Sequence, residues 1–122
     1  MLASSPAFSS FAVDDTEAAR TFYSGTLGLT VEDLGMGGLV AIHLQSGARV
    51  MVYPKPDFTP ATYTVLSFPV DDIGAAVDTL VADGVTMEKY EGFDQDDKGI
   101  SRNPVGPPIA WFRDPAGNIL AV

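Results

Sequence analysis

The sequence predicts an α+β fold made of two tandem βαβββ modules, in which each half supplies a strand, a helix and three further strands. An internal repeat is the main observation: residues 11–15 (FAVDD) recur as residues 68–72 (FPVDD), at an offset of 57. Residues 28–32 (GLTVE) recur as residues 84–88 (GVTME), at an offset of 56. A repeat of this kind indicates two copies of one supersecondary unit. Each copy also has a helical apolar stripe followed by β-branched runs.

The first predicted strand ends with residues 11–13, and the first helix follows it. Asp14 and Glu17 have the spacing of a capping box, which predicts where this helix starts. Gly25 and Gly28 can end it, because glycine readily adopts the left-handed conformation that closes a helix. The apolar face expected between these ends consists of Ala18, Ala19, Phe22 and Tyr23.

The second helix is predicted to begin at Asp71 or Asp72, since either carboxylate can accept hydrogen bonds from the first free amides. Gly84 is expected at its C-terminal cap. The side chains spaced as one apolar stripe are Ile73, Ala76, Val77, Leu80 and Val81.

Apolar and β-branched runs after each helix predict the remaining strands. The last hairpin is specified by residues 114–117 (DPAG), in which proline suits the first central turn position and glycine supplies a positive φ. That turn pairs Asp114 with Asn118 and Trp111 with Ala121, so Trp111 and Ala121 share one face of the sheet. The predicted strands cover residues 30–34, 38–44, 48–53, 85–90, 107–113 and 118–122.

The second half is longer than the first. The turn glycines Gly47 and Gly117 are offset by 70 residues rather than 56, so the second half has 14 additional residues, within segment 91–104. A loop of that length is uncommon in a compact domain and often closes over a ligand. We expect a lid with Phe93 as a candidate ligand contact. The alternative is a mobile polar loop without a ligand role.

One domain of residues 1–122 is expected, with modules 1–60 and 61–122, because two full cores do not fit in this length. Sixteen acidic and seven basic side chains give a net charge of −9, which disfavours binding to nucleic acid. No apolar run is long enough to span a membrane and no secretion signal is evident, so we expect a cytoplasmic protein. The absence of cysteine excludes disulfides and thiol chemistry.

Residues 11–29 (FAVDDTEAARTFYSGTLGL) open the first copy, and residues 110–122 (AWFRDPAGNILAV) close the second. Together with the tandem halves, these segments resemble the vicinal-oxygen-chelate superfamily, which includes glyoxalases, bleomycin resistance proteins and dioxygenases. The resemblance implies that the two modules form a cupped mixed sheet. In metal-bearing members, it also implies one metal ligand from the first strand and one from the last strand of each half.

The repeat offsets place those four ligand positions at Phe8, Met51, Val65 and Ala121. None of these side chains provides the carboxylate oxygen or imidazole nitrogen that hard and borderline divalent cations require. The adjoining residues include no His, Asp or Glu, so a shift of one residue does not restore the site. The sequence is therefore similar to the metal-free branch of the superfamily, and we expect no metal and no other cofactor.

Alternation along the strands predicts a largely apolar lining of the cup. Trp111 is its principal candidate contact, because its aromatic plane can stack on a flat ligand. Phe8, Met51 and Val65 have an alternative role as packed core that fills the former metal site. The predicted lining residues are Phe8, Ser10, Met51, Tyr53, Val65, Ser67, Trp111, Ile119 and Ala121.

His43 and Arg113 are expected at the rim of the sheet, where either can meet the polar end of a ligand. The alternative for His43 is a partly exposed structural residue, because no carboxylate is evidently placed to orient it as a base. The alternative for Arg113 is an ion pair with a surface acid.

These residues and the resemblance favour a metal-free protein that binds or sequesters a small aromatic, amphipathic or cationic compound. One alternative is a metal-independent lyase or isomerase in which Tyr53, His43, Arg113 or an acidic residue near the pocket transfers a proton. Another is an effector-binding or protein-interaction module. Glyoxalase or dioxygenase chemistry is disfavoured because it requires the metal. The resemblance also implies a homodimer.

Overall fold

The computed structural model describes residues 1–122. The chain divides into two compact units, Met1–Thr59 and Pro60–Val122, and each unit has its own sheet. Each unit contains one copy of the sequence repeat. The repeat in the sequence therefore corresponds to a division of the structure, and the fold is α+β as predicted.

The first unit has the predicted order of strand, helix and three strands. Its elements are a short 3-10 helix (Leu2–Ser4), β1 (Ser9–Val13), α1 (Thr16–Arg20) with a π-helical continuation (Thr21–Thr26), β2 (Thr30–Asp33), β3 (Val40–His43) and β4 (Arg49–Pro54). β1 pairs in parallel with β4, and β3 pairs antiparallel with both β4 and β2. The resulting order is β1-β4-β3-β2.

The first helix begins one residue later than predicted. Asp15, not Asp14, is the N-cap, and its carboxylate accepts hydrogen bonds from the amides of Glu17 and Ala18 at 3.0 and 3.2 Å. Asp15 has an extended backbone, with φ −134° and ψ 107°, which lets its side chain reach back to the first turn. From the predicted apolar face, the fully buried residues are Ala19 and Tyr23.

The second unit has a smaller sheet of three strands. Its elements are β5 (Thr64–Ser67), α2 (Ile73–Ala82), β6 (Trp111–Arg113) and β7 (Ile119–Ala121). β7 lies at the centre of this sheet, parallel to β5 and antiparallel to β6. The chain between α2 and β6 consists mainly of turns, with two isolated bridges.

Helix α2 begins after Asp72, whose carboxylate accepts a hydrogen bond from the amide of Ala75 at 3.0 Å. This resolves the choice between the two predicted starts. Gly84 follows the helix with a φ of +96°, as expected of a C-terminal cap. Val81 was predicted in the apolar stripe of this helix but is 53% exposed. It lies about 80° around the helix axis from the buried Ile73.

The predicted strand 85–90 does not form. Its only ladder contact is a bridge between Met87 and Phe112. The side chain of Gln95 hydrogen-bonds the amide of Tyr90 and the carbonyl of Glu88, so these backbone groups are not available to a further strand. The predicted strand 107–113 shortens to β6, since the prolines that begin it lack amide donors.

The last hairpin confirms the predicted register. Trp111 pairs with Ala121, and the amide of Asp114 donates to the carbonyl of Asn118 at 3.0 Å. The Asp114 carboxylate also accepts from the amide of Asn118 at 2.8 Å. Gly117 has a φ of +95°, and a Cβ there would meet Pro60 at 3.3 Å, so this position requires glycine for two reasons.

The core of the second unit includes a residue from the added segment. Ile100 is 1% exposed and packs with Ile73, Val77 and Ala110. Met87 and Val122 cover this cluster. Segment 91–104 is therefore anchored in the core at Ile100, a role that the prediction of a surface loop did not include.

Candidate functional site in the second unit

Three aromatic rings meet in the second unit. Trp111 lies 5.6 Å from Tyr90 and 5.4 Å from Phe93, measured between ring centroids, and Tyr90 lies 5.6 Å from Phe93. The ring planes are inclined by 59–80°, which is the edge-to-face arrangement that aromatic quadrupoles favour. We call Tyr90, Phe93 and Trp111 the aromatic cluster.

Local structure explains how the cluster is assembled. Trp111 begins β6, where pairing with Ala121 fixes its direction. Tyr90 and Phe93 belong to one tight turn, in which the Phe93 amide donates to the Tyr90 carbonyl at 3.1 Å. Two of the three rings thus come from the added part of the second half and its immediate flank.

The cluster forms one wall of a cavity of about 410 Å³. This volume lies within the range of small-molecule sites, which are mostly apolar with a few polar groups. Two threonines supply hydroxyls, and one carboxylate is present. The lining residues are Thr62, Tyr63, Thr64, Tyr90, Glu91, Phe93, Trp111 and Ile119.

An ion pair lies next to the cluster. Arg113 contacts the carboxylate of Glu88, and its guanidinium also donates to the carbonyl of Gly117 at 3.4 Å. Burial raises the pKa of the Tyr90 hydroxyl above its ordinary value, while the positive charge of Arg113 opposes that rise. The Tyr90 oxygen is buried without a well-formed hydrogen bond. Arg113 therefore forms an ion pair with an acidic side chain, which was the alternative role predicted for it.

An irregularity in β5 changes which of its residues face the predicted ligand cup. The pairing of β5 with β7 shifts between Thr64 and Leu66, so Thr64 is opposite Ile119 and Ser67 is opposite Ala121. Val65 falls in this β-bulge, where the alternation that predicted its direction is interrupted. Thr64 lines the cavity beside Trp111 instead.

Ser67 and Ala121 line a different cavity, of about 310 Å³, in the same unit. Ala121 is fully buried, whereas Ser67 is exposed. The structure thus brings Trp111, Phe93 and Ile119 together in one cavity and places Ser67 and Ala121 in another.

The predicted residues of the first unit lie on or near β1 and β4. Phe8 precedes β1 and is 56% exposed. Ser10 is opposite Met51, which is half-buried, and Tyr53 is exposed. Their contact with a ligand stays a prediction.

His43 has a carboxylate partner that was not evident in the sequence. Its Nε2 atom lies 2.9 Å from Oε1 of Glu32. Thr30 is directly opposite His43, so Glu32 is the diagonal neighbour on the adjacent strand. This pair lines neither of the two cavities described above.

The positions expected to carry metal ligands do not suit a hard or borderline divalent cation. Phe8, Met51, Val65 and Ala121 supply no side-chain oxygen or nitrogen. No group of three or more His, Asp or Glu side chains is arranged to hold a metal ion. No helix has the length and apolar character needed to cross a membrane.

Several residues of the site were missed in the sequence. Tyr90 was assigned to a strand, and Tyr63, Glu91 and Gln95 received no role. A possible signal was the segment 90–93 (YEGF), which places two aromatic residues around a glycine at the start of the added segment.

Solved structures share this fold. A member of the glyoxalase/bleomycin resistance protein/dioxygenase superfamily from Sphaerobacter thermophilus DSM 20745 is 27% identical over 94% of both chains, with a TM-score of 0.70. UcmS2 is 20% identical over 93% of this chain and 92% of its own, with a TM-score of 0.71. TnmS3, an antibiotic binding protein from Streptomyces sp. CB03234, is 23% identical over 94% and 92%, with a TM-score of 0.66.

Sequence comparison agrees with the fold. No curated protein matches the chain significantly. The family model of the Glyoxalase/Bleomycin resistance protein/Dioxygenase superfamily matches residues 7–122. The match includes both repeat copies, the added segment and all of the cavity lining, and it confirms the resemblance found in the sequence. The chain therefore belongs to the glyoxalase/bleomycin resistance protein/dioxygenase superfamily.

Proposed function

We propose that the protein binds and sequesters a small aromatic or amphipathic compound, without a metal, in the cavity beside Trp111. The observation that carries this proposal is the aromatic cluster on the wall of a cavity of about 410 Å³. Phe93 is 54% exposed, so a ligand that covers it removes apolar surface from water. The fold shared with an antibiotic binding protein supports the same function.

The charges around the cavity favour a cationic group on the ligand. Glu91 is the only charged side chain in the lining, and it has no ion-pair partner. Arg113 does not line the cavity and is paired with Glu88. The net charge of −9 also attracts cations to the protein. An amine or quaternary ammonium near Glu91 can in addition face an aromatic ring.

Trp111 is the only tryptophan, so its fluorescence reports directly on this cavity. We expect a screen of aromatic antibiotics and metabolites to find compounds that quench this fluorescence and raise the melting temperature. Phe93→Ala is expected to weaken binding about tenfold or more, because a central aromatic contact is lost. Val105→Ala is the control, since Val105 is 91% exposed and does not line the cavity.

Calorimetry extends the test to Trp111→Ala, which removes the fluorescent group. Compounds that bind wild type should bind this variant at least about tenfold more weakly. A screen in which a folded wild-type protein binds none of these compounds would contradict the proposed function. Equal affinity for wild type, Phe93→Ala and Trp111→Ala would place the binding site elsewhere.

A matched pair of ligands tests the preference for a cation. The pair is (naphthalen-2-ylmethyl)trimethylammonium and its neutral isostere with carbon in place of nitrogen. We expect the cation to bind more tightly, and Glu91→Gln to weaken the cation about threefold to tenfold while leaving the isostere unchanged. Equal binding of both ligands would argue against the charge preference but not against an aromatic site.

Elemental analysis tests the metal-free part of the proposal. Protein purified without an affinity tag should contain far less than one equivalent of zinc, nickel, manganese or iron. Close to one equivalent of any of these metals would contradict it.

A further inference from the structure

Gln95 lies outside the cavity lining but binds three backbone groups around it. Its Oε1 atom accepts from the amide of Tyr90 at 2.8 Å. Its Nε2 atom donates to the carbonyl of Glu88 at 3.0 Å and to the carbonyl of Gly99 at 2.8 Å. One half-buried side chain thus joins Glu88 and Tyr90 to Gly99, in the middle of the added segment.

The contacts of Gln95 lie on both sides of the turn that contains Tyr90 and Phe93. The Tyr90 amide donates one of the three bonds, and Phe93 lies between Tyr90 and Gln95 in the chain. The bond to Gly99 closes the segment on its other side. Removal of this side chain would leave one amide and two carbonyls without these partners, which is costly where they are shielded from water.

A second set of contacts fixes the same segment. The Asp96 carboxylate accepts from the amides of Lys98 and Ile100, each at 2.9 Å. Ile100 is anchored in the core. Gly99 has a φ of +83°, and a Cβ there would meet the Glu88 carbonyl at 3.3 Å. The segment that follows Phe93 is therefore tied to its own side chains and to the core.

We infer that Gln95 is a positioning residue that sets ligand affinity by holding Tyr90 and Phe93 against Trp111. On this inference, which rests on the proposed function, the added segment is a preformed wall of the site and not a lid that closes over the ligand. A wall already fixed in its bound conformation loses little conformational entropy when a ligand arrives. Loosening it should weaken binding even though no ligand contact is removed.

Two substitutions separate the functions of this amide. Gln95→Met keeps the length of the side chain and removes all three hydrogen bonds. Gln95→Glu keeps an acceptor for the Tyr90 amide but presents a carboxylate to two carbonyls at neutral pH. Protonation of that carboxyl restores one donor, and the facing carbonyls should raise its pKa. Gln45→Met is the matched control, because Gln45 is the other glutamine of the chain and is exposed.

The ligand probe is N-phenyl-1-naphthylamine, which stays neutral across the pH range used. At pH 7.5 we expect the dissociation constant to rise about tenfold in Gln95→Met and in Gln95→Glu, but not in Gln45→Met. Between pH 7.5 and pH 5, Gln95→Glu should recover part of the lost affinity relative to wild type, whereas Gln95→Met should not. Ile42→Val, a core variant in the first unit, should keep the wild-type dissociation constant despite lower stability.

A measurement without ligand completes the test. Near-ultraviolet circular dichroism and acrylamide quenching of Trp111 should change in Gln95→Met, because its aromatic neighbours are no longer held. A folded Gln95→Met protein with the wild-type Trp111 signal overturns the inference, as does Gln95→Met with wild-type affinity. Failure of wild type to bind any probe contradicts the proposed function instead, and the Trp111 signal then decides the role of Gln95. If Gln95→Met does not fold, absence of any pH-dependent recovery in Gln95→Glu overturns the inference.

Discussion

The ring and the hydroxyl of Tyr90 lie in different environments. Its ring packs against Phe93 and Trp111, whereas its buried hydroxyl lies near the ion pair of Arg113 and Glu88 without a well-formed hydrogen bond. A buried hydroxyl without a good partner costs free energy, so the ring and not the oxygen is the useful part of this side chain in the free protein.

Tyr90→Phe tests this division. Removal of the hydroxyl should leave the free energy of unfolding unchanged or raise it by up to about 1 kcal/mol, because no well-formed hydrogen bond is lost. Urea unfolding monitored by Trp111 fluorescence measures the difference. A loss above about 1 kcal/mol would show that the hydroxyl makes a stabilising contact in solution.

Asp96 should make stability depend on acid pH. Hydrogen bonds from the Ile100 and Lys98 amides lower the pKa of its carboxyl below the ordinary value, with the Ile100 amide having the largest effect. The contribution is therefore present above the pKa of the unfolded chain and is lost as the pH falls through the lower folded value. We expect Asp96→Ala to lower the melting temperature more at pH 7 than at pH 3, because pH 3 lies below the pKa of an aspartate in the unfolded chain and part of the contribution is already lost there.

The control for this measurement is Asp94→Ala, since Asp94 is exposed and no hydrogen bond or ion pair joins it to the turn. An Asp96→Ala deficit of the same size at pH 3 and pH 7 would show that the charge of Asp96 is not responsible.

At the scale of elements, the caps and turns followed the sequence more closely than the strands did. Asp72 caps α2 and residues 114–117 form the final turn as predicted, because each depends on a few neighbouring residues. The prediction of a strand at 85–90 was wrong. Its composition suits a strand, but the side chain of Gln95 hydrogen-bonds backbone groups that strand pairing would require. The bulge at Val65 was also invisible to an analysis based on strict alternation.

The two consecutive aspartates before α2 provide a matched comparison. Asp72→Ala should lower the free energy of unfolding by about 0.5–2 kcal/mol, because the Ala75 amide loses its acceptor. Asp71→Ala should change it by less than about 0.5 kcal/mol, as an exposed substitution outside the cap. Chemical denaturation of both variants measures this, and equal losses would argue against Asp72 as the cap.

For the whole molecule, the added segment contributes to stability as well as to the proposed site. Ile100 belongs to this segment and is as deeply buried as Val77 of α2. A surface excursion would not supply a core residue, so the second unit needs part of its own insertion to complete its core. The fold of this unit and the proposed site therefore depend on the same short stretch of chain.

Ile100→Ala measures this contribution. We expect a loss of about 2–5 kcal/mol in the free energy of unfolding, from the buried surface lost and the cavity left behind. Trp111 lies in the second unit, so its fluorescence follows the unfolding of that unit. Val105→Ala should have little effect. A loss below about 1 kcal/mol for Ile100→Ala would contradict the assignment of Ile100 to the core.

The sequence by itself determined the two repeat copies, the capping of α2 by one of two aspartates, the final hairpin and the lack of oxygen or nitrogen ligands at four positions. All of these depend on residue type and short-range spacing, which a sequence displays directly. Trp111 and Phe93 were predicted as ligand contacts, but only the tertiary structure brought them together with Tyr90 and Thr64 around one cavity. The roles of Gln95 and Ile100 were likewise decided there. They depend on a side chain reaching distant backbone groups and on packing against another element, and neither produces a periodic pattern in the sequence.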